Sequence, residues 1–238
     1  MPALVLHELT SDKSPHLGAV FSMYEREFPL GERESRTAVR HWLHRKARNG
    51  LYPNDYHVLV ATTRDNRRIV AFAFFHYLAD INAGFLGYMA VRPELRNRGI
   101  GSWLFGQVKR RLAVDAAERG LGVPDGVFME LEVPSAMPAV DARLRFWRDL
   151  KTLPLQIGWR YPRLQRRSEP ATMYLAFSPM RTVARRIPTQ RVRKAVVSIY
   201  RSVYGKRKTN ADLRSVLRSI HGLGHVRPVK HGIRTGGR

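Results

Sequence analysis

The segment Arg96-Asn97-Arg98-Gly99-Ile100-Gly101-Ser102 carries the residue types best placed to do chemistry in this chain. Gly99 and Gly101 remove side chains where a ligand must come close to the backbone, and they permit positive φ. The run Tyr88-Met89-Ala90-Val91 before the segment has strand character. Pro93, with no N–H to give to a ladder, closes that strand. After the segment, the amphipathic run over 102–112 reads as a helix. A strand, a glycine turn and a helix in that order aim several backbone N–H groups and the positive end of a helix dipole at one point, which suits a phosphate. Arg96 and Arg98 add positive charge. The spacing is neither G-x-G-x-x-G nor a loop ending in G-K-[ST].

Two further groups of acids have spacing that matters. Glu130 and Glu132 sit two apart in the alternating run over 127–133, so they share one sheet face. A carboxylate there either takes a proton from an amine or holds a cationic one; the other reading is a solvated strand face. Glu25 and Glu27 occupy a helical stretch that also holds Arg26 and Arg33, so they either meet a substrate or form surface ion pairs. His41 and His44 lie three apart with no acidic partner arranged nearby, and no metal site is expected. The absence of Cys excludes disulfides, a thiol nucleophile and zinc sites built on thiolates.

The elements that must position these residues follow from periodicity. Strands are expected over 5–9, 56–63, 69–78, 84–91, 127–133, 153–161 and 171–177, with helices over 14–28, 35–49, 102–119 and 141–150. A hairpin turn over 64–67 and a polar loop over 166–169 join neighbouring strands. This order predicts an α/β fold: a mixed, mostly antiparallel twisted sheet flanked by helices. Two domains are expected, a folded unit over 1–180 and a basic helical, partly disordered tail over 181–238. In the tail, residues 189–204 alternate cations with apolar residues, as a basic amphipathic helix would, and residues 211–220 form a second helix. The tail has few aromatics, and no independent core is expected of it.

Charge is unevenly spread. The chain carries +23, and residues 181–238 contribute +15 of it, with sixteen Lys/Arg against the single acid Asp212. Such a field favours nucleic acid, ribosomes, anionic lipid or acidic proteins; general basicity of the proteome is the alternative. The tail carries no Cys/His pairing or aromatic set for reading a base sequence. The opening MPALVLHELTSDKSP lacks a basic start followed by an apolar stretch, and no apolar run nears the ~20 residues of a membrane span. A cytoplasmic location is the expectation.

The R-x-x-G-x-G pattern after the strand end Val91-Arg92-Pro93 resembles the acetyl-coenzyme A pyrophosphate loop of the GCN5-related N-acetyltransferases (GNAT), and the element order over 1–178 is similar to theirs. The resemblance implies the acyl-CoA N-acyltransferase fold and acetyl-CoA as acyl donor. It implies that the backbone at Met89, Ala90 and Val91 pairs with the pantetheine arm. It also implies that Arg96 to Ser102 (Asn97, Arg98, Gly99, Ile100 and Gly101 between them) hold the pyrophosphate. The acceptor would be a primary amine on a small molecule, peptide or protein, with Glu132 or Glu130 as base and Glu25 or Glu27 lining the acceptor groove. Tyr24-Glu25-Arg26-Glu27-Phe28-Pro29 with Glu32-Arg33 resembles a segment of one branch of the family.

One departure stands out. Many members carry a Tyr acid in an F-Y pair, and here the pair is Phe146-Trp147. Trp cannot protonate a leaving thiolate, which leaves Tyr88, Tyr161 or solvent. The alternative function is a nucleic-acid- or ribosome-associated, or acyl-CoA-sensing, protein on the same scaffold with little catalysis. The tail would then steer the protein to a polyanion or pack on the domain.

Overall fold

The computed structural model describes residues 3–49, 54–64, 68–134, 137–162, 173–181 and 186–229. The first half runs β1 (Leu4–Glu8), α1 (Leu17–Glu27), α2 (Arg36–Asn49), β2 (Asn54–Thr63), β3 (Ile69–Leu78) and β4 (Ala83–Val91). The second runs α3 (Ile100–Glu118), β5 (Gly126–Glu132), α4 (Pro138–Asp149), β6 (Leu153–Pro154) and β7 (Met173–Pro179). It ends with β8 (Ile187–Pro188), α5 (Thr189–Ser198), α6 (Ala211–Ser219) and β9 (His225–Val226). Most of the turn expected over 64–67, and all of the loop expected over 166–169, lie outside the described residues.

Seven strands form one sheet in the order β1-β2-β3-β4-β5-β7-β6, and β8 and β9 form a separate ribbon. Within the large sheet every neighbouring pair is antiparallel except β4 with β5. Strand alternation sends side chains to two covered faces. Val58, Val60, Phe72 and Phe74 pack under α1 and α2 with Leu17, Val20, Phe21 and Leu43. Leu59, Ala61, Ala73 and Phe75 pack against Leu104, Val108 and Leu112 of α3. Burial on both faces explains why β3 reads as an unbroken apolar run, IVAFAFFHYL.

The central pair of strands opens into a wedge. β4 and β5 pair at Gly84↔Val127, Phe85↔Phe128 and Leu86↔Met129 and then part. β4 stays bound to β3 as far as Ala71↔Val91, while β5 stays bound to β7 as far as Glu132↔Met173. At the point of parting, the register of β3 with β4 shifts. Phe74 faces Tyr88 and Phe75 faces Leu86, so Gly87 is an extra residue on β4. A bulge of this kind bends the strand that carries it.

The C-terminal segment belongs to the same core. Val192, Ala195 and Val196 of α5, followed by Ile199, Tyr200 and Val203, pack with Phe85, Phe128, Leu175 and Phe177 of the sheet. The apolar face of α5 turns inward, and Arg191, Arg193 and Lys194 stay exposed. The helix expected over 189–204 changes pitch: after Ser198 a π turn runs over Ile199–Val203, closed by Tyr204 N donating to Ile199 O at 3.2 Å.

The strand expected over 153–161 is largely absent: Leu153 and Pro154 pair with β7, and Leu155 N adds one bond, to Leu175 O at 2.8 Å. Residues beyond β6 take partners from the C-terminal segment instead. Gln156 N donates to Arg227 O at 2.9 Å and Gly158 N to Ser219 Oγ at 3.0 Å. Tyr200 Oη donates to Arg160 O at 2.5 Å. Among the described residues no helix is long and apolar enough to cross a membrane.

Candidate functional site

A cavity of about 820 Å³ fills the wedge between β4 and β5 and runs on to the connection between α1 and α2. One wall is the β4–α3 junction. Asn97 (φ 60) and Gly99 (φ 78) both take the left-handed conformation, which Asn tolerates better than most residues and Gly adopts freely. A Cβ on Gly99 would touch nothing within 4 Å, so the backbone angle alone asks for glycine there. At Gly101 space decides: a Cβ would lie 3.1 Å from Cε2 and Cζ of Phe146.

Buried Ile100 pins the start of α3 in the core. No side chain caps this helix, and its first internal bond runs from Trp103 N to Gly99 O at 3.0 Å. The N–H groups of Ile100, Gly101 and Ser102 therefore lack acceptors within the helix, and all three residues line the cavity. This wall favours a ligand with concentrated negative charge. Arg96 also lines the cavity; its Nε donates to Val91 O at 3.0 Å and its guanidinium pairs with Glu27. That pair ties the loop to α1. Arg98 is exposed and stands off the lining.

Tyr88, Met89, Ala90 and Val91 form the β4 wall. Beyond Leu86 their backbone edge has no strand partner on the β5 side among the described residues, so it is open to a ligand that can pair with it.

Facing that edge is an acidic wall. Glu130 and Glu132 both line the cavity, as their spacing requires. Their surroundings differ. Arg143 grips Glu132 with two bonds of 2.6 and 2.5 Å. Glu130 instead meets two neutral donors: Trp159 Nε1 donates to it at 2.9 Å and Tyr204 Oη at 2.6 Å. Burial pushes the Glu130 carboxyl up to about 7, against the pull of the Tyr204 and Trp159 hydrogen bonds. A carboxyl poised there exchanges a proton readily at neutral pH.

The remaining expected residues are placed as follows. Glu27 lines the cavity, whereas Glu25 lies outside it and pairs with Arg36 at 2.5 Å and Arg33 at 4.0 Å. Tyr88 lines the cavity, and its hydroxyl accepts from Glu34 N at 3.0 Å. Tyr161 lines it too, donating to Glu32 O at 3.1 Å. Burial raises the phenols of Tyr88, Tyr161 and Tyr204, so all three keep their protons at neutral pH. Phe146 packs on Gly101, and Trp147 meets Phe105 edge to face at 5.2 Å between ring centres. Neither brings an acid.

Several cavity residues escape a reading of the sequence. Glu34 carries a carboxyl that burial raises to about 7, partly opposed by a hydrogen bond from Trp42. Glu32 is raised as well, by burial and by the charge of Glu132. Tyr204 reaches the cavity from the C-terminal segment. The i, i+4 spacing of Tyr200 and Tyr204 on an apolar stripe was the available signal; for Glu32 and Glu34, in a turn, there was none.

A second cluster lies behind β2. Asp55, His57 and Asp115 bring ligand atoms within 4.8 Å of one another, a spacing that could hold a metal ion. Cations already occupy it. Arg119 meets Asp55 at 2.7 Å and Arg111 meets Asp115 at 2.6 Å. The His57 ring lies between Glu8, at 2.7 Å, and Asp115, at 3.1 Å. Burial alone would raise Glu8, but the hydrogen bond and charge of His57, helped by Lys46, hold it at about 2.

The sequence model of the acetyltransferase (GNAT) family matches residues 17–125. No curated protein matches the chain. Among solved structures, a GNAT-family acetyltransferase from Bacteroides thetaiotaomicron superposes with a TM-score of 0.62 at 15% identity, covering 85% of this chain and 99% of that one. The ribosomal-protein-S18-alanine N-acetyltransferase of Escherichia coli gives 0.49 at 16% identity, over 76% of this chain and 97% of the other. Arabidopsis thaliana NAA60, solved in complex with acetyl-CoA, gives 0.49 at 12% identity, over 75% of this chain and 99% of the other. The match over 17–125, which takes in β4 and the glycine junction leading into α3, identifies those residues as a GNAT acetyltransferase-family domain.

Proposed function

We propose that this protein is an acetyl-CoA-dependent N-acetyltransferase that acetylates a primary amine. One observation carries the reading: the open edge of β4, the uncapped N-terminus of α3 and the poised carboxyl of Glu130 all line one cavity. Acetyl-CoA supplies an activated thioester acetyl group, and transfer forms an N–C bond to the amine and releases CoA as the thiol.

The first-turn N–H groups at Ile100, Gly101 and Ser102 hold the pyrophosphate, with Asn97 and Gly99 setting the loop path. Arg96 and Arg98 add charge to this end. The backbone from Met89 through Ala90 to Val91 pairs with the pantetheine arm along the β4 edge. Glu130 takes the proton that the attacking amine must lose, since an ammonium cannot attack. Trp159 and Tyr204 fix the orientation of that carboxyl. Glu132, held by Arg143, adds negative charge on the acceptor side, and Glu27 closes the cavity through Arg96; Glu25 does not reach it. Tyr88, on the splayed strand, gives its phenolic proton to the leaving thiolate and regains one from solvent, while Glu130 releases the amine's proton to solvent. The test is to titrate acetyl-CoA against the full chain and then follow CoA thiol release with a panel of amines. A folded chain that binds no acetyl-CoA overturns the reading.

A second role concerns the exposed cations of the C-terminal segment. Arg193, Lys194, Arg201, Arg207, Lys208, Arg214 and Arg218 face outward while the apolar side of the segment is buried. This surface fits a polyanion such as nucleic acid or ribosomal RNA. Phosphate contacts make such binding fall steeply with salt, so affinity that stays level between about 50 and 200 mM rules the role out.

A further inference from the structure

The end of the cavity beside the α1–α2 connection is built from aromatic rings around a carboxyl. Glu34, Tyr56, Phe74, His76 and Tyr88 line it. Tyr56 and His76 are each 3% exposed, and their rings lie 4.9 Å apart. Trp42 packs edge-on to His76 at 5.0 Å and gives Glu34 a hydrogen bond.

Two polar atoms in this recess have no partner among the described residues: the Tyr56 hydroxyl and Nδ1 of His76. A buried polar atom left unpaired is costly unless a ligand completes it. The charges point the same way. Of the five carboxylates lining the cavity, Glu27 and Glu132 are matched by Arg96 and Arg143, whereas Glu32, Glu34 and Glu130 have no Lys or Arg in ion-pair range among the described residues. A chain of net charge +23 thus keeps this cavity acidic. Glu34 and Glu130 are separate positions within it, and Tyr161 senses the charge of both.

We infer that the recess around Glu34 is a binding subsite for a second ammonium group of the acceptor, so that the substrate is a small aliphatic diamine acetylated at the end that lies near Glu130. This rests on the acetyltransferase reading above. The non-reacting ammonium pairs with Glu34 and sits among the faces of Tyr56, Phe74 and Tyr88, a setting that favours a cation twice over, by charge and by ring quadrupole. Neutral His76, held uncharged by burial, and the Tyr56 hydroxyl accept hydrogen bonds from it. Burial raises both carboxyls, and a bound dication favours their charged forms.

The test uses the full chain. Diaminopropane, diaminobutane and diaminopentane are compared with monoamines of equal carbon number, with kcat/KM read by CoA thiol release. The diamines are also titrated calorimetrically into the chain with and without acetyl-CoA. A diamine is expected to exceed its matched monoamine by about tenfold, the ~1.4 kcal/mol that a carboxylate and aromatic contact of this kind supplies. Glu34→Gln is expected to bring that ratio close to one. Tyr56→Phe, which removes a single hydroxyl from the recess, is expected to lower it several-fold, so the proposal stays testable if Glu34→Gln does not fold.

Equal or better use of monoamines, faster acetylation of a lysine peptide than of any diamine, or a ratio untouched by both variants overturns the proposal while leaving the acetyltransferase reading standing. Failure to bind acetyl-CoA defeats that reading instead. Even then, diamine binding that is lost in Glu34→Gln supports the subsite, and absence of diamine binding overturns it.

Discussion

Replacing Tyr204 by Phe isolates the role of Glu130. The substitution keeps the ring, which lies 6.0 Å from Phe85 and 6.2 Å from both Tyr161 and Tyr200, and deletes only the hydroxyl that donates to Glu130 at 2.6 Å. A hydrogen bond to a charged group contributes about 1.5–3 kcal/mol. At about 1.36 kcal/mol per pKa unit, its loss raises the Glu130 carboxyl by roughly one to two units. Starting from about 7, the ionised fraction at pH 7 falls from about one half to roughly 0.1–0.01. If Glu130 is the base, kcat/KM at pH 7 drops by about 5–50-fold, and the acid limb of the pH profile moves up by the same one to two units. Activity recovers above about pH 9. The assay is thiol release from acetyl-CoA between about pH 5.5 and 10, a range that spans both limbs, with melting curves for both proteins. An acid limb that stays in place while activity falls equally at every pH refutes Glu130 as the base. It would leave Tyr204 with a packing role only.

Three other outcomes follow from the packing and charges. Gly101→Ala puts a methyl 3.1 Å from ring atoms of Phe146, so that ring must move by a few tenths of an ångström; the ring stands at the cavity wall, so acetyl-CoA affinity should fall while the melting temperature changes little, by the ~1 kcal/mol low end of an overpacking cost at most. Glu8 is held at about 2, below its ordinary value of 4.5, so its contribution is complete above pH 4.5 and disappears as pH falls toward 2. Glu8→Gln should therefore cost on the order of 2–3 kcal/mol at neutral pH and flatten the acid side of the stability curve, as read by urea unfolding at about pH 3, 5 and 7. A chain ending at Pro179 loses Val192, Val196, Ile199, Tyr200 and Leu213 from the shared core. At ~1.5–3 kcal/mol for each large apolar side chain, that rivals the whole ~5–15 kcal/mol stability of a domain, so circular dichroism should show no cooperative melt.

The parts of this site that depend on local pattern could be read from the chain. Gly99 and Gly101 follow Val91 and Pro93 at a fixed spacing, and each meets a distinct local need, a positive φ at one and clearance for Phe146 at the other. Glu130 and Glu132 share a face because strands alternate, and both reach the cavity. What could not be read depends on tertiary meetings. Nothing near Glu130 in sequence says that Trp159 and Tyr204 will hold it while Arg143 takes Glu132. The residues over 156–160 look like a strand because they alternate, yet their backbone is claimed by a segment far along the chain, with Gly158 bound to Ser219 and Gln156 to Arg227. The cations of residues 189–204 suggest a surface helix; that its other face completes the core of the sheet, and that a π turn swings Tyr204 into the cavity, follows only from packing.

Calorimetric titration of acetyl-CoA into the full chain, beside the Gly99→Glu variant, tests the central claim most directly. Position 99 has room for a side chain but needs a positive φ, and a carboxylate there opposes a pyrophosphate. The account requires saturable one-to-one binding by the native chain and its loss in a variant that still melts cooperatively. A folded native chain that takes up no acetyl-CoA, or a folded Gly99→Glu that binds it as well as the native chain does, contradicts the account.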